Sequence, residues 1–191
     1  VYIESLGNPK CDIPDFQRIA EISHTLGLPL LVDNTVLTPV LCKPLEHGAD
    51  IVLYSTTKYI GGHGVHVGGA VIDGGRFDWT ADAGRWPELN APDPSYHGKI
   101  FAKDLAPFGN IAYTVYMRTH WLRDMGACMS PFAAFLFLIG LETLHLRMPR
   151  HVDNTRRVAE WLRKHPAVEW VNYPGLQDHP HHGNALKYTP N

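Results

Sequence analysis

An α/β fold with a mainly parallel sheet is predicted by three features of this 191-residue sequence. Three short runs, Val1–Glu4, Pro29–Asp33 and Asp50–Ser55, are almost continuously apolar, which suits strands covered on both faces. Helical stretches separate them, and the order strand, helix, strand, helix, strand is that of right-handed crossovers. A composition of 45% apolar and 19% charged residues supplies a core without the charge excess of a disordered chain.

Val1–Glu4 starts the chain as a strand with no cap or leader before it, and Tyr188–Asn191 stop in a polar stretch. An internal segment of a longer protein is therefore expected. Pro14–Gly27 reads as the first helix: Pro14 stands near its start, Gly27 at its stop, and Ile19, Ile22 and Leu26 recur at helical spacing. After the strand Pro29–Asp33, a shorter helical stretch around Pro44–Gly48 leads to Asp50–Ser55. A further strand, Val67–Asp73, follows a loop rich in Gly and His. Gly74–Ile100 turns to Gly, Pro, Asp and aromatic residues, a long irregular connection of the kind that serves function or an interface.

Helices are expected over Ile111–Asp124, Phe132–Arg147 and Val152–His165. Pro149 lacks an N–H and clashes with the preceding turn, so it is expected to break the helix between Arg147 and Val152. Val168–Tyr173 alternates like a strand. A boundary near Pro149 divides the chain into 1–148, the C-terminal part of a large α/β domain, and 149–191, the start of a smaller α+β domain.

Lys plus Arg number 17 against 19 Asp plus Glu, which argues against a nucleic-acid arm or an anchor to an anionic membrane. Phe132–Leu141 is the longest apolar candidate, about half the roughly 18 residues that a membrane span needs. The three cysteines, Cys11, Cys42 and Cys128, offer neither a disulfide framework nor a CxxC zinc site. A soluble protein of a reducing compartment, the cytoplasm, is expected.

Ligands of open α/β sheets sit at the carboxyl ends of the strands. Asn8 follows the first strand here, Asp33 ends the second, and Ser55-Thr56-Thr57-Lys58 follow the third. An acid, several hydroxyls and one lysine converging on a crevice are what pyridoxal phosphate requires. Its aldehyde needs the amine of Lys58 for a Schiff base, and its pyridine nitrogen needs the carboxylate of Asp33. Its phosphate needs donors such as the hydroxyls of Ser55 and Thr57. Against this stand ordinary roles: a surface lysine, an Asp in a turn, loop hydroxyls. Neither a GxGxxG nor a GxxxxGK[ST] occurs. His179-Pro180-His181-His182 lacks a partner at metal-ligand spacing, and no metal is expected. His63 and His66 flank the proposed site and are read mainly as loop packing.

Tyr54-Ser55-Thr56-Thr57-Lys58-Tyr59, Gly61-Gly62-His63-Gly64 and Val32-Asp33-Asn34-Thr35 together resemble the Cys/Met-metabolism class of pyridoxal-phosphate enzymes. The likeness runs through essentially the whole chain. Glu4-Ser5-Leu6-Gly7-Asn8-Pro9, Asp73-Gly74-Gly75-Arg76-Phe77-Asp78-Trp79, Pro92–Gly98 and Glu169–Gly175 look most like its O-acetylhomoserine sulfhydrylase branch, as does the long connection Gly74–Ile100. The resemblance implies the fold-type-I, aspartate-aminotransferase-like architecture and a homotetramer built as a dimer of dimers. It implies the cofactor roles of Asp33, Ser55, Thr57 and Lys58, and adds Asn8 as a group holding the substrate carboxylate. The implied reaction removes acetate from O-acetyl-L-homoserine and adds sulfide to give homocysteine. Methionine γ-lyase and cystathionine γ-synthase or γ-lyase chemistry are the alternatives within the class. A catalytically incomplete segment acting only as an interaction module is the alternative outside it. By the same resemblance, a ring-stacking tyrosine, a Gly-rich phosphate turn and a carboxylate-gripping arginine belong outside residues 1–191.

Overall fold

The computed structural model describes residues 1–189, arranged around a four-stranded sheet of order β1 (Tyr2–Glu4), β2 (Leu31–Asp33), β3 (Ile51–Ser55) and β4 (Gly69–Asp73). The first three strands are parallel, with Glu4, Asp33 and Leu53 level; β4 runs antiparallel to β3, with Ser55 opposite Gly69. Side chains alternate across the pleat. Val32, Val52 and Tyr54 enter one core together with Phe16, Leu30, Leu144 and Tyr188. Ile51, flanked by Leu31 and Leu53, enters a second core with Trp79, Leu89 and Phe101. The two middle strands are therefore covered on both faces, as their apolar runs predict. The outer two are not, since Tyr2, Val71 and Ile72 are exposed.

Helix α1 (Phe16–Thr25) begins where Asp15 Oδ1 accepts the Arg18 N–H (3.2 Å), an N-cap bond. It ends in a Schellman turn: Gly27 N–H donates to His24 O and Leu28 N–H to Ser23 O (both 2.9 Å), with Gly27 at φ 65°. The buried face is Phe16, Ala20 and Ser23, whereas Ile22 and Leu26 face solvent. The spacing of Ile19, Ile22 and Leu26 thus marks a helix but not its inner face. A short helix α2 (Thr38–Leu41), not foreseen from the sequence, precedes the expected helical stretch around Pro44–Gly48, which is a 3-10 segment at Pro44–His47.

Fully buried Asn34 fastens this region to the sheet. Its Nδ2 lies 3.0 Å from Thr38 O, 2.9 Å from Cys42 O and 3.1 Å from the Tyr54 hydroxyl. The two carbonyls can only accept, so they fix the amide orientation, and the two amide protons are shared among three acceptors. Burial pushes the Cys42 thiol up to about 12, leaving it a protonated packing group. All three cysteines are free.

Residues 74–110 are irregular only in part. They contain α3 (Pro87–Asn90), α4 (Phe101–Asp104) and two 3-10 turns. They wrap Trp79, which stacks on Tyr113 at 5.3 Å and meets Phe77 and Trp86 edge-on. The helix expected over Ile111–Asp124 is α5 (Ala112–Tyr116) passing into a π-helical stretch, Met117–Asp124. There His120 Nε2 lies 2.8 Å from Asp93 Oδ2 and ties the connection down.

Helices α6 (Pro131–Glu142) and α7 (Leu144–Arg163) meet at 57° around Thr143. This corrects the expected break at Pro149, which lies inside α7. Proline there removes only the bond to the carbonyl of His145, and both residues are exposed, so water can serve that carbonyl. No single helix among the described residues is long and apolar enough to cross a membrane; the bent α6–α7 pair together meets that length and composition. Ala133, Phe137, Leu144 and Met148 of this pair are buried in the protein.

Val168–Tyr173 is not a strand; it is an irregular segment that pairs with no other among the described residues. Alternation creates two faces, but a strand also needs a partner edge. Helix α8 (His182–Tyr188) closes the fold, its Tyr188 ring lying 4.5 Å from Phe16 and its hydroxyl donating to Asp15. Of the polar C-terminal stretch Tyr188–Asn191, the last two residues lie outside the described residues.

Two outcomes follow from this packing. Replacing Asn34 by Leu orphans the Cys42 carbonyl and is expected to lower unfolding stability by roughly 2–4 kcal/mol, read from a denaturant midpoint. The open edge at β1 and the exposed Phe132, Phe135, Leu138 and Ile139 of α6 predict self-association of the 191-residue chain. Sedimentation velocity should show species heavier than the 21.4 kDa monomer, diminished in a Phe135→Glu, Leu138→Glu variant; a monodisperse parent monomer refutes this.

Candidate active site at the strand ends

Because β1, β2 and β3 are parallel and in register, their carboxyl ends lie on one edge of the sheet. Asp33 closes β2, its Oδ1 accepting the Thr35 N–H (2.9 Å) and its Oδ2 the Tyr2 hydroxyl (3.0 Å). Partial burial, then the hydrogen bond to Asp33, push the Tyr2 phenol above its ordinary range, so it donates. Both donors to Asp33 are neutral. No cation lies within ion-pair distance of this carboxylate among the described residues.

Beyond β3 the chain turns sharply. Lys58 N–H donates to Ser55 O (3.2 Å), Gly61 N–H to Thr56 O (2.9 Å) and Gly62 N–H to Lys58 O (2.8 Å). Ser55 N–H donates to Thr35 Oγ1 at 2.7 Å, which joins this turn to the one bearing Asp33. Lys58 is exposed, and its ammonium has no hydrogen-bond or ion-pair partner among the described residues. The Ser55 hydroxyl is likewise uncommitted there. The Thr57 hydroxyl is engaged: it accepts the Gly68 N–H (3.0 Å) and donates to Gly68 O (3.2 Å). Asn8 sits in the loop after β1, exposed, with its N–H donating to Glu4 Oε2 (2.9 Å) and no bond to the other four.

Sequence reasoning missed the groups that hold the lysine turn. Arg147 of α7 donates to Tyr59 O (2.8 Å) and Gly140 O (2.7 Å), and its Nε to Thr143 Oγ1 (3.0 Å). A side chain at Gly140 would collide with Gly61 O, so this glycine lets α6 cross the turn directly. Thr56 is buried beneath the turn, its Oγ1 unpartnered. Arg147 lies 88 residues from Tyr59, and no local signal links them. Thr35, by contrast, sits inside the Asp-Asn-Thr motif and its hydroxyl was there to be read.

His63 Nδ1 lies 2.7 Å from Gly61 O and His66 packs edge-on to Phe137, both within the loop. No group of three or more His, Cys, Asp or Glu converges for a metal ion among the described residues. Two shallow depressions, of about 220 Å³ beside Trp170 and His179 and about 340 Å³ beside Arg76 and Asn110, lie apart from the strand ends.

The chemistry available is complementary. Among the described residues, the edge carries a carboxylate with two neutral donors and no cation, and an amine and a hydroxyl with no partner. That set fits pyridoxal phosphate, whose ring nitrogen calls for an anion, whose aldehyde calls for an amine and whose phosphate calls for donors.

Over 192 aligned residues the chain is 53% identical to the homocysteine synthase of Schizosaccharomyces pombe, covering all of this chain and 44% of that protein. It is 49% identical to the O-acetyl-L-homoserine sulfhydrylase of Leptospira meyeri, covering 98% of this chain and 43% of that protein. The chain thus spans less than half the length of these curated relatives. A crystal structure from Campylobacter jejuni, described as a candidate O-acetylhomoserine (thiol)-lyase with a pyridoxyl-lysine monophosphate, superposes with TM-score 0.88 at 38% identity. That match covers 98% of this chain and 46% of the other, and it puts the sheet and its helices in the fold-type-I class. The family model described as Cys/Met metabolism PLP-dependent enzyme matches residues 1–191 in full. Matched by that model along its whole length, the chain belongs to the Cys/Met-metabolism family of pyridoxal-phosphate-dependent enzymes.

Proposed function

We propose that this chain is the lysine-bearing part of an O-acetylhomoserine sulfhydrylase, which converts O-acetyl-L-homoserine and sulfide to L-homocysteine and acetate. The observation that carries the reading is the uncommitted Lys58 amine on the same sheet edge as the cation-free Asp33 carboxylate. The names of the similar proteins support the choice of branch.

Pyridoxal phosphate, when bound, supplies an electron sink for charge left on a deprotonated substrate carbon. Asp33 holds the ring nitrogen by a charge-assisted hydrogen bond. Lys58 is the amine for the aldehyde, and the same Nζ then moves protons at the substrate Cα and Cβ. Serving two carbons requires a long side chain that nothing else ties down, and the free ammonium meets that need. Ser55 and Thr57 would offer their hydroxyls to the phosphate. Asn8 holds the substrate carboxylate through its side-chain amide. Residues 1–148 belong in this reading to the large cofactor domain and 149–191 to the start of the smaller one. The complete protein is a cytoplasmic homotetramer built as a dimer of dimers.

With added pyridoxal phosphate, the protein is expected to develop a visible absorption band that Lys58→Ala lacks; absence of the band from the parent overturns the reading. Asp33→Asn is expected to lower kcat roughly 10- to 100-fold, the worth of a charge-assisted hydrogen bond, in an assay of homocysteine formed from O-acetylhomoserine and sulfide. Release of methanethiol and 2-oxobutanoate from methionine without homocysteine synthesis moves the assignment to a γ-lyase.

A further inference from the structure

The C-terminal segment grips the loop that carries Asn8. Asn172 Nδ2 donates to Lys10 O (2.8 Å), and Asn184 Nδ2 to Ile13 O (2.8 Å). His181 Nδ1 also reaches Ile13 O (3.0 Å), and its Nε2 lies 3.5 Å from Asp12 Oδ1. The loop itself is closed by Gly7 N–H to Asp12 O (2.9 Å) and Cys11 N–H to Gly7 O (2.7 Å). Asn8 stands inside that closure, two residues before Lys10.

The partners of each histidine dictate where its protons sit. His181 N–H donates to His179 Nδ1 (3.1 Å), so that nitrogen carries no proton. The remaining His179 Nε2–H therefore donates to Asn172 Oδ1 (2.7 Å), which turns the amide so that its NH₂ faces Lys10 O. His181 and His182 each face a carbonyl through Nδ1, Ile13 O and Pro174 O, and so carry a proton there. His179 thus accepts on one ring nitrogen and donates on the other, which fixes the ring between the His181 backbone and the Asn172 side chain.

We propose that Asn172 and His179 form a positioning clasp that holds loop 7–13, and Asn8 with it. Its consequence for substrate rests on the reading of Asn8 given above; the clasp itself does not.

The groups facing His179 are His181, His182, Asp12 and Asp178, the last already paired with Arg163 of α7 at 2.7 Å. Burial, then the charge of His181, hold the His179 imidazole below its ordinary range, against the opposing pull of Asp12 and Asp178. The ring is therefore neutral at pH 8, with Nδ1 able to accept the His181 N–H.

Hydrogen exchange of the Gly7 and Cys11 amides, corrected for intrinsic rates, reads the clasp without cofactor or activity. At pH 8, protection is expected to drop roughly five-fold in His179→Ala and in Asn172→Ala relative to the parent, the worth of one net hydrogen bond. His179→Gln, which keeps a donor and an acceptor, should retain it. The Gly98 amide, bonded to Asp93 O at 2.7 Å, is remote and reports that each variant is folded. Parent-level loop protection in folded His179→Ala overturns the proposal. In the assay of homocysteine formation, His179→Ala should raise KM for the amino-acid substrate with kcat little changed. If loop protection falls while KM stays fixed, the clasp stands and the role of Asn8 fails.

Discussion

A single buried amide underlies the geometry of the strand ends. Asn34 lies between Asp33, which ends β2, and Thr35, whose hydroxyl receives the Ser55 N–H. Its own side chain points the other way, into the core, toward Thr38 O, Cys42 O and the Tyr54 hydroxyl. Burial alternates through these three residues: Asp33 and Thr35 are half-buried on either side of fully buried Asn34, whose Nδ2 is bonded and whose Oδ1 has no partner among the described residues. Tyr54 belongs to β3, so the same amide also ties the strand before Lys58 to the strand ending in Asp33. The positions of acid and amine are set jointly by a contact that touches neither.

The sheet separates this arrangement from the rest of the molecule. On one side lie α1, α2, the start of α7 and α8; on the other lie the aromatic residues around Trp79 and the π-helical turn that carries His120. Val52 faces the first core and Ile51 the second, although they are neighbours in sequence. A cavity opened in one core is shielded from the other by strand β3, and the strand ends sit where both meet.

The strands and the strand-end residues were legible because their causes are local. A strand covered on both faces must be apolar along its length, and Asp33, Ser55 and Lys58 stand where such runs stop. The inner face of α1 was less legible, because Ile22 is as apolar as Phe16 and only tertiary packing chooses between them. Pro149 was misread for a similar reason: the cost of a helical proline depends on whether water reaches the carbonyl it leaves unpaired. Val168–Tyr173 carries the alternation of a strand but spends its polar groups elsewhere, Asn172 on Lys10 O above all. Arg147 was out of reach altogether, since the carbonyls it serves lie far away in sequence and give no sign of needing it.

Helix α7 is tied down at both ends by arginine. Arg147, in its first turns, holds the carbonyls after Lys58, and Arg163, its last residue, holds Asp178 in the segment that reaches the Asn8 loop. Sixteen residues at 1.5 Å each put these anchors about 24 Å apart along a stiff rod. The helix acts as a strut. The lysine-bearing turn and the C-terminal segment do not drift independently, as they would on flexible connections, because their spacing is a helical rise. A tilt of the strut moves both ends together in opposite senses, like the arms of a lever about its middle.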